Sequence, residues 1–121
     1  MCAIERVRGM YEGRNKSSAY KDLVWTVATA KNTDADILSQ TAQALATIDE
    51  NLKQLGASKD TILSAQVYIA NMAHKPLMDK VWVNWVGDDH RYWPQRACLG
   101  VALEGNVLIE ITVVAVRKFS G

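Results

Sequence analysis

The sequence predicts a single α+β domain in which one mixed β-sheet carries two helices on one face. Three observations support this fold class. The chain has 121 residues, the ordinary length of one domain, so we expect residues 1–121 to fold together. Hydrophobic residues make up 49% of the chain, which is enough for a core. Short strand-like segments alternate with two stretches of helical periodicity, in the order β-β-α-β-α-β-β.

The first 30 residues have the pattern of two or three short strands. Residues Ile4–Arg8 alternate between apolar and polar side chains, as a half-buried strand does. Residues Leu23–Val27 are β-branched and aromatic, which predicts a more buried strand. Gly9 and Gly13 mark a loop between these two segments.

A long amphipathic helix is predicted after Asp34 or Asp36, because either residue can supply the N-cap. We expect the polar residues Gln40 and Gln43 to face water, and Gly56 to end the helix as its C′ residue. The apolar residues recur at steps of three and four and so form one stripe. This stripe consists of Ile37, Ala44, Leu45, Ile48, Leu52 and Leu55.

The middle of the chain predicts one strand and a second helix. Residues Ile62–Ile69 alternate as a strand does. The second helix is expected at Lys75–Val86, since Pro76 suits a first turn and Gly87 is a common end point. Its buried stripe is predicted to contain Leu77, Met78, Val81, Trp82 and Trp85.

The last two predicted strands are Gln95–Ala102 and Val107–Val116, and the short segment Glu104–Asn106 favours a hairpin between them. Both rows of side chains on the last strand are largely apolar, which is typical of a strand buried on both faces. Two helices can cover only one face of the sheet. Because monomers rarely expose a large apolar face, we expect a homo-oligomer that buries the open face.

These two strands also carry Arg96, Cys98 and Glu110. Since side chains alternate along a strand, Arg96 and Cys98 share a face. A three-residue hairpin loop would pair Gly100 with Glu110 and put Arg96, Cys98 and Glu110 on one side. A two-residue loop would put Glu110 on the opposite face, and the sequence leaves both registers open.

An arginine and a glutamate in an apolar region have two interpretations. They can form a structural ion pair that fixes the strand register. Alternatively, the Arg96 guanidinium can grip a small carboxylate through two hydrogen bonds, while Glu110 orients or deprotonates a water molecule.

Composition disfavours several other functions. The 14 Lys and Arg residues are scattered among 13 Asp and Glu, with a net charge of +1, so a nucleic-acid partner is not expected. His74 and His90 are not spaced as metal ligands, and a glycine-rich phosphate loop is missing from the sequence, so we expect no metal or other cofactor. Cys2 and Cys98 suggest free thiols in a reducing compartment. Without a signal pattern or a membrane span, the cytoplasm is the expected location.

The C-terminal part of the chain resembles a known family. The segments Pro94–Cys98, Val107–Ile111 and Ala115–Arg117 are similar to the C-terminal signature of the YjgF/Rid proteins. These are the reactive-intermediate (enamine/imine) deaminases, also described as endoribonuclease L-PSP proteins. The similarity extends upstream through the second helix and Gln43–Gly56, and it covers roughly residues 14–117. The shorter YoaB-type members look most similar.

The resemblance implies a chorismate-mutase-like fold and a homotrimer with clefts between its subunits. It implies a hydrolase that converts 2-imino acids from pyridoxal-phosphate enzymes into 2-keto acids and ammonia, with no cofactor of its own. On this resemblance Arg96 binds the substrate carboxylate and Glu110 positions water or transfers a proton. Cys98 lines the pocket without acting as a nucleophile. The family's N-terminal tyrosine has two candidate counterparts, Tyr11 and Tyr20.

Other expected cleft residues depart from the family pattern. Ala28 and Thr29 stand where relatives often carry a Ser/Thr-Gly-Gln turn, and Asp79 stands where an asparagine is common. Trp93 precedes the motif strand, where it either packs at the subunit boundary or roofs the cleft. These departures keep two alternatives open. One is a non-catalytic module that binds a small carboxylate or keto acid and regulates a partner; the other is a ribonuclease, which the charge pattern disfavours.

Overall fold

The computed structural model describes residues 3–118, which form one six-stranded mixed sheet with two α-helices packed on one face. This confirms the predicted fold class. Cys2, which was predicted to be a free thiol, lies outside the described residues. The elements are β1 Glu5–Arg8, β2 Asn15–Tyr20, β3 Leu23–Thr29, α1 Ile37–Gln54, β4 Ile62–Ile69, α2 Lys75–Val86, β5 Gln95–Gly100 and β6 Ile109–Val116.

The sheet contains a strand that the predicted β-β-α-β-α-β-β order lacks. Strand β2 (Asn15–Tyr20) has the polar sequence NKSSAY, so hydrophobic alternation does not reveal it. It lies between β1 and β3 and pairs antiparallel with both. Its buried Ser17 is satisfied by a 2.8 Å hydrogen bond between its hydroxyl and that of Thr26, which is how a polar residue is accommodated there.

The predicted β5–β6 hairpin is wrong. The strand order is β1-β2-β3-β6-β4-β5, so β4 separates the last two strands. Strand β5 pairs in parallel with β4, whereas β6 pairs antiparallel with both β3 and β4. The long apolar β6 therefore takes the centre of the sheet, where both its sides are paired, and the short β5 takes an edge.

Both helices have the predicted bounds to within a residue or two. The Asp36 side chain caps α1 by accepting a 2.9 Å hydrogen bond from the backbone N–H of Ser39. Gly56 follows α1 with a φ of 81°, a conformation that favours glycine. In α2, Met78 and Trp82 are buried as predicted, while Leu77 is 37% exposed.

Gln40 is fully buried, although the sequence predicts that it faces water. Its side-chain amide donates to the backbone carbonyls of Thr33, Ala35 and Asn106 at 3.0–3.1 Å. Its Oε1 accepts a 3.0 Å hydrogen bond from the backbone N–H of Leu108. Gln40 therefore joins the segment after β3 to the segment before β6, and these hydrogen bonds explain its burial.

The two faces of the sheet differ in their covering. On β6, alternate residues from Ile109 to Ala115 are buried against the helices, while Glu110 and its alternates are half-buried on the other side. We call this second side the open face. It carries a groove of about 330 Å³ beside the exposed Trp25. Within residues 3–118, neither helix is long and apolar enough to cross a membrane.

Candidate functional site

Arg96 lies on the edge strand β5 and points to the helix-covered side of the sheet. Its Cα is paired with that of the buried Ala65 on β4, so the two side chains share a face. The guanidinium lies over the ring of Trp82, with 5.1 Å between Cζ and the ring centroid. Its Nη1 is 3.7 Å from Sδ of Met78. Two side chains of α2 thus orient the guanidinium by stacking and packing.

Asp79 of α2 connects Arg96 to a second cation. Arg96 Nη2 lies 2.9 Å from Asp79 Oδ1, and Lys75 Nζ lies 2.9 Å from Asp79 Oδ2. Partial burial opposes ionisation of Asp79, but its contacts with Lys75 and Arg96 and their positive charges outweigh this and lower its pKa. We call Lys75, Asp79 and Arg96 the arginine cluster. Its formal charge is positive, because two cations share one carboxylate.

Two further predicted site residues lie near Arg96 along the chain. Cys98 is on the same side of β5, and it is a half-buried free thiol packed against the core. Trp93 lies just before β5, and its side chain is half-exposed. Its indole N–H donates a 2.9 Å hydrogen bond to the carbonyl of Gly87, just after α2. Within residues 3–118, no group of three His, Cys, Asp or Glu side chains is arranged to hold a metal ion.

Glu110 lies on the open face, away from the arginine cluster. Its Cα is paired with Thr29 on β3 and with Tyr68 on β4. The carboxylate is half-buried and forms no hydrogen bond or ion pair with any residue in the described range 3–118. Thr29 shares the open face with it, whereas Ala28 points to the core and is 5% exposed.

The structure therefore brings Arg96, Cys98 and Asp79 together and separates them from Glu110. Along the sheet, Arg96 and Glu110 are two strands apart and offset by three residues, with Ala65 and Val113 marking the register. Standard strand spacing makes that about 10 Å across and about 10 Å along the sheet. Because the two side chains also lie on opposite faces, one small molecule cannot contact both within a single chain.

Sequence reasoning predicted Asp79 as a cleft residue, but it missed the contact of Asp79 with Arg96 and the part that Lys75 plays. Lys75 and Asp79 are four residues apart on α2, a spacing at which opposite charges pair on a helix surface. That signal was available, but it does not tell which strand the pair faces. Trp82 and Met78 were predicted only as core residues, and the structure shows that both also contact Arg96.

These features define a small α+β protein built on a mixed sheet, with a basic cluster at one sheet edge. The family model described as Endoribonuclease L-PSP matches residues 23–117, from β3 to just after β6. The chain is 32% identical to the RutC family protein YoaB of Escherichia coli K12 over 97 residues, which cover 79% of this chain and 83% of that relative.

Two further similarities agree with this match. A RutC family protein of Haemophilus ducreyi is 37% identical over 81 residues, covering 66% of this chain and 68% of that relative. The crystal structure of a YjgF family member from Neisseria meningitidis superposes with a TM-score of 0.88 at 27% identity, covering 98% of both chains. The chain belongs to the YjgF/Rid family of endoribonuclease L-PSP proteins, as its C-terminal signature predicts.

Proposed function

We propose that the protein is a hydrolase that deaminates reactive 2-imino acids to 2-keto acids and ammonia in a cleft shared by two subunits of a homo-oligomer, expected to be a trimer. The observation that carries this proposal is the placement of Arg96 and Glu110 on opposite faces and different strands. If both act on one ligand, they must come from different subunits. Membership of the YjgF/Rid family supports the reaction class.

In the proposed reaction, Arg96 binds the substrate carboxylate. The Arg96 side chain is 19% exposed, and the only polar contacts of its guanidinium within residues 3–118 are with Asp79 and the sulfur of Met78. Several of its five N–H groups are therefore available for a ligand. The stacking against Trp82 reduces the freedom that binding would otherwise remove.

Glu110 of the neighbouring subunit is proposed to transfer protons between the water molecule and the imine nitrogen. It takes a proton from water as the water oxygen bonds to the imine carbon, and it delivers a proton to the nitrogen. A second proton then moves from the hydroxyl of the resulting tetrahedral intermediate to its nitrogen as the C–N bond breaks, so ammonia leaves and the carbonyl of the 2-keto acid forms. The Glu110 carboxylate has no hydrogen bond or ion pair within residues 3–118, so it is free to contact water and a ligand of the neighbouring subunit.

The other predicted site residues take supporting positions in this proposal. Cys98 and Asp79 line the subsite of Arg96, and Thr29 lines the side of Glu110. Trp93 covers the cleft from the turn before β5, and Ala28 shapes it only through its backbone. We place the activity in the cytoplasm, which the free thiol of Cys98 favours.

The activity is tested by adding the protein to a threonine dehydratase reaction and following 2-oxobutanoate release in competition with semicarbazide. We expect faster release with the wild type and at least about a tenfold loss with Arg96→Ala, because a charge-assisted clamp is removed. Arg8→Ala is the matched control, since Arg8 pairs only with the exposed Glu12. Equal acceleration by Arg96→Ala would contradict the proposal.

Subunit sharing is tested by complementation. Arg96→Ala and Glu110→Gln chains are each expected to be inactive alone. When they are coexpressed and assemble at random, about a quarter of the clefts receive one intact arginine and one intact glutamate, so about a quarter of the wild-type activity should return. If both residues acted within one chain, no cleft would be intact and no activity would return.

A non-catalytic binding module is the second candidate. The observation that favours it is the contact between Asp79 and Arg96, which occupies part of the guanidinium. This candidate predicts saturable binding of 2-oxobutanoate that depends on Arg96, without acceleration in the dehydratase assay. The two measurements together separate an enzyme from a binding module.

A further inference from the structure

We propose that Asp79 is a specificity-determining residue: an internal carboxylate that competes with the ligand for Arg96 and matches the site to monocarboxylates rather than dicarboxylates. The inference rests on the proposed role of Arg96 as the carboxylate clamp. It adds that Asp79 competes with the ligand for Arg96 and that the charge of the cluster selects the ligand. Neither point follows from carboxylate binding by Arg96 alone.

The geometry of Asp79 is that of a bridge. Each of its carboxylate oxygens lies 2.9 Å from a different cation, Oδ1 from Arg96 and Oδ2 from Lys75. Lys75 and Asp79 stand one turn apart on α2, so helix geometry keeps this pair together. Arg96 comes from β5, on the other side of the contact. The bridge can therefore lose its Arg96 half and keep its Lys75 half.

The two halves of the bridge differ in exposure and geometry. The Lys75 half joins side chains that are 41% and 33% exposed, so water and salt screen it. The Arg96 half is more buried, but Asp79 Oδ1 has no well-aligned hydrogen-bond partner despite lying 2.9 Å from Arg96 Nη2. A ligand carboxylate that aligns with the guanidinium can therefore replace Oδ1 without breaking a well-formed hydrogen bond. Asp79 then stays compensated by Lys75, so no isolated charge is left behind.

The charges of the cluster set the preferred ligand. Lys75, Asp79 and Arg96 sum to one positive charge, which a single ligand carboxylate neutralises. A second ligand carboxylate would leave an excess negative charge next to Asp79. Repulsion between like charges at this distance disfavours binding, so the site should prefer 2-oxobutanoate to 2-oxoglutarate.

The test is to measure the binding of 2-oxobutanoate and 2-oxoglutarate by titration calorimetry at low salt. Asp79→Asn has nearly the shape of the wild type but lacks the competing charge. We expect it to bind 2-oxobutanoate about threefold to fivefold more tightly, and to gain about tenfold or more for 2-oxoglutarate. Lys75→Met should weaken 2-oxobutanoate binding by about threefold, because Asp79 then depends on Arg96 alone.

Asp89→Asn is the matched control, because Asp89 pairs with Arg91 in an exposed ion pair of similar length, 2.7 Å. It should leave both affinities unchanged. Each variant's circular dichroism spectrum verifies that it is folded. A double variant, Asp79→Asn with Arg96→Ala, should lose the increase in ligand affinity that Asp79→Asn produces alone.

The outcomes separate the two proposals. If Arg96→Ala binds 2-oxobutanoate as tightly as the wild type, the proposal that Arg96 binds the carboxylate is wrong. If Arg96→Ala loses binding but Asp79→Asn has unchanged affinity for both ligands, Arg96 still binds the carboxylate and the competitor role of Asp79 is overturned. If Asp79→Asn tightens both ligands equally, the charge rule for dicarboxylates is overturned.

Discussion

Gln40 and Asp79 are both polar side chains that a helix directs at the sheet, and they behave in opposite ways. Gln40 is fully buried and neutral, and its amide makes four hydrogen bonds to backbone groups. Asp79 is one-third exposed and charged, and its two oxygens contact two different cations, Lys75 and Arg96. A satisfied neutral amide holds a structure in place, whereas a shared, partly hydrated charge can exchange partners.

Their positions explain the difference. Gln40 lies under the segments before α1 and before β6, where three carbonyls and one N–H need a partner that water cannot supply. Asp79 faces β5, which is an edge strand, so solvent and ligands reach it from the unpaired side. We therefore expect substitutions at Gln40 to lower stability and substitutions at Asp79 to alter binding.

The largest effect should come from Gln40→Leu. Leucine fills much of the volume but leaves the Leu108 N–H and the carbonyls around it without their partner. We expect the free energy of unfolding to fall by about 3 kcal/mol, because buried backbone groups lose their hydrogen bonds. Urea unfolding at a fixed protein concentration measures this, since any oligomerisation would make stability depend on concentration.

Gln43→Leu is the control on the same helix. Gln43 accepts a 2.8 Å hydrogen bond from the Asn32 N–H and donates to the Ser39 hydroxyl, but it is only half-buried. Water can replace both partners, so we expect a loss of less than about 1 kcal/mol. Equal losses at Gln40 and Gln43 would show that burial is not what distinguishes Gln40.

An intermediate effect should come from Thr26→Val. The Thr26 hydroxyl is buried between Ser17 and Asn51, at 2.8 Å and 3.0 Å. Valine has the same shape, so the change removes only the hydroxyl. Ser17, Asn51 and the backbone carbonyl of Lys16, which accepts a 3.1 Å hydrogen bond from Thr26, then each lose a partner. We expect a loss of about 2 kcal/mol in urea unfolding.

The control for Thr26→Val lies on the open face. Thr112→Val removes a 2.9 Å hydrogen bond between the Thr112 hydroxyl and Gln66, but both residues are only half-buried. The loss should stay below about 1 kcal/mol. A loss as large as that of Thr26→Val would mean that the open face excludes water as thoroughly as the core does.

Asp79→Asn should have the smallest effect on stability, and this effect should depend on pH. The pKa of Asp79 is lowered in the folded chain, so its ion pairs contribute stability above its unfolded value of about 3.9. That contribution disappears as the pH falls through the lower folded value. We therefore expect the wild type to exceed Asp79→Asn by less than about 1 kcal/mol at pH 7, and by nothing at low pH. A constant difference across this range would exclude a role for the charge.

Local signals in the sequence predicted much of the fold. The helix from Ile37 to Gln54 followed from its apolar stripe, its Asp36 cap and Gly56, and the bounds of α2 followed from Pro76 and Gly87. Strand β2 was missed because its polar residues carry no alternation signal. The burial of Gln40 was also missed, since its partners lie as far as 68 residues away along the chain.

For the candidate site too, part was predicted from the sequence and part came only from the structure. The residue types and the resemblance to the family predicted Arg96, Cys98, Glu110 and Asp79 as site residues from the sequence alone, and their roles stay predictions. The partners of Arg96 on α2, and the position of Glu110 on the other face, came from the structure. The predicted hairpin register failed because β4, which lies 25 or more residues earlier in the chain, inserts between the last two strands.

The sequence by itself therefore determined the fold class, the helices and the identity of the charged residues, because helix periodicity, caps and residue chemistry are properties of neighbouring residues. Only the tertiary structure decided that Arg96 faces α2 while Glu110 faces away from it. Alternation along a strand tells which side chains share a face, but pairing with distant strands decides which face that is and what covers it.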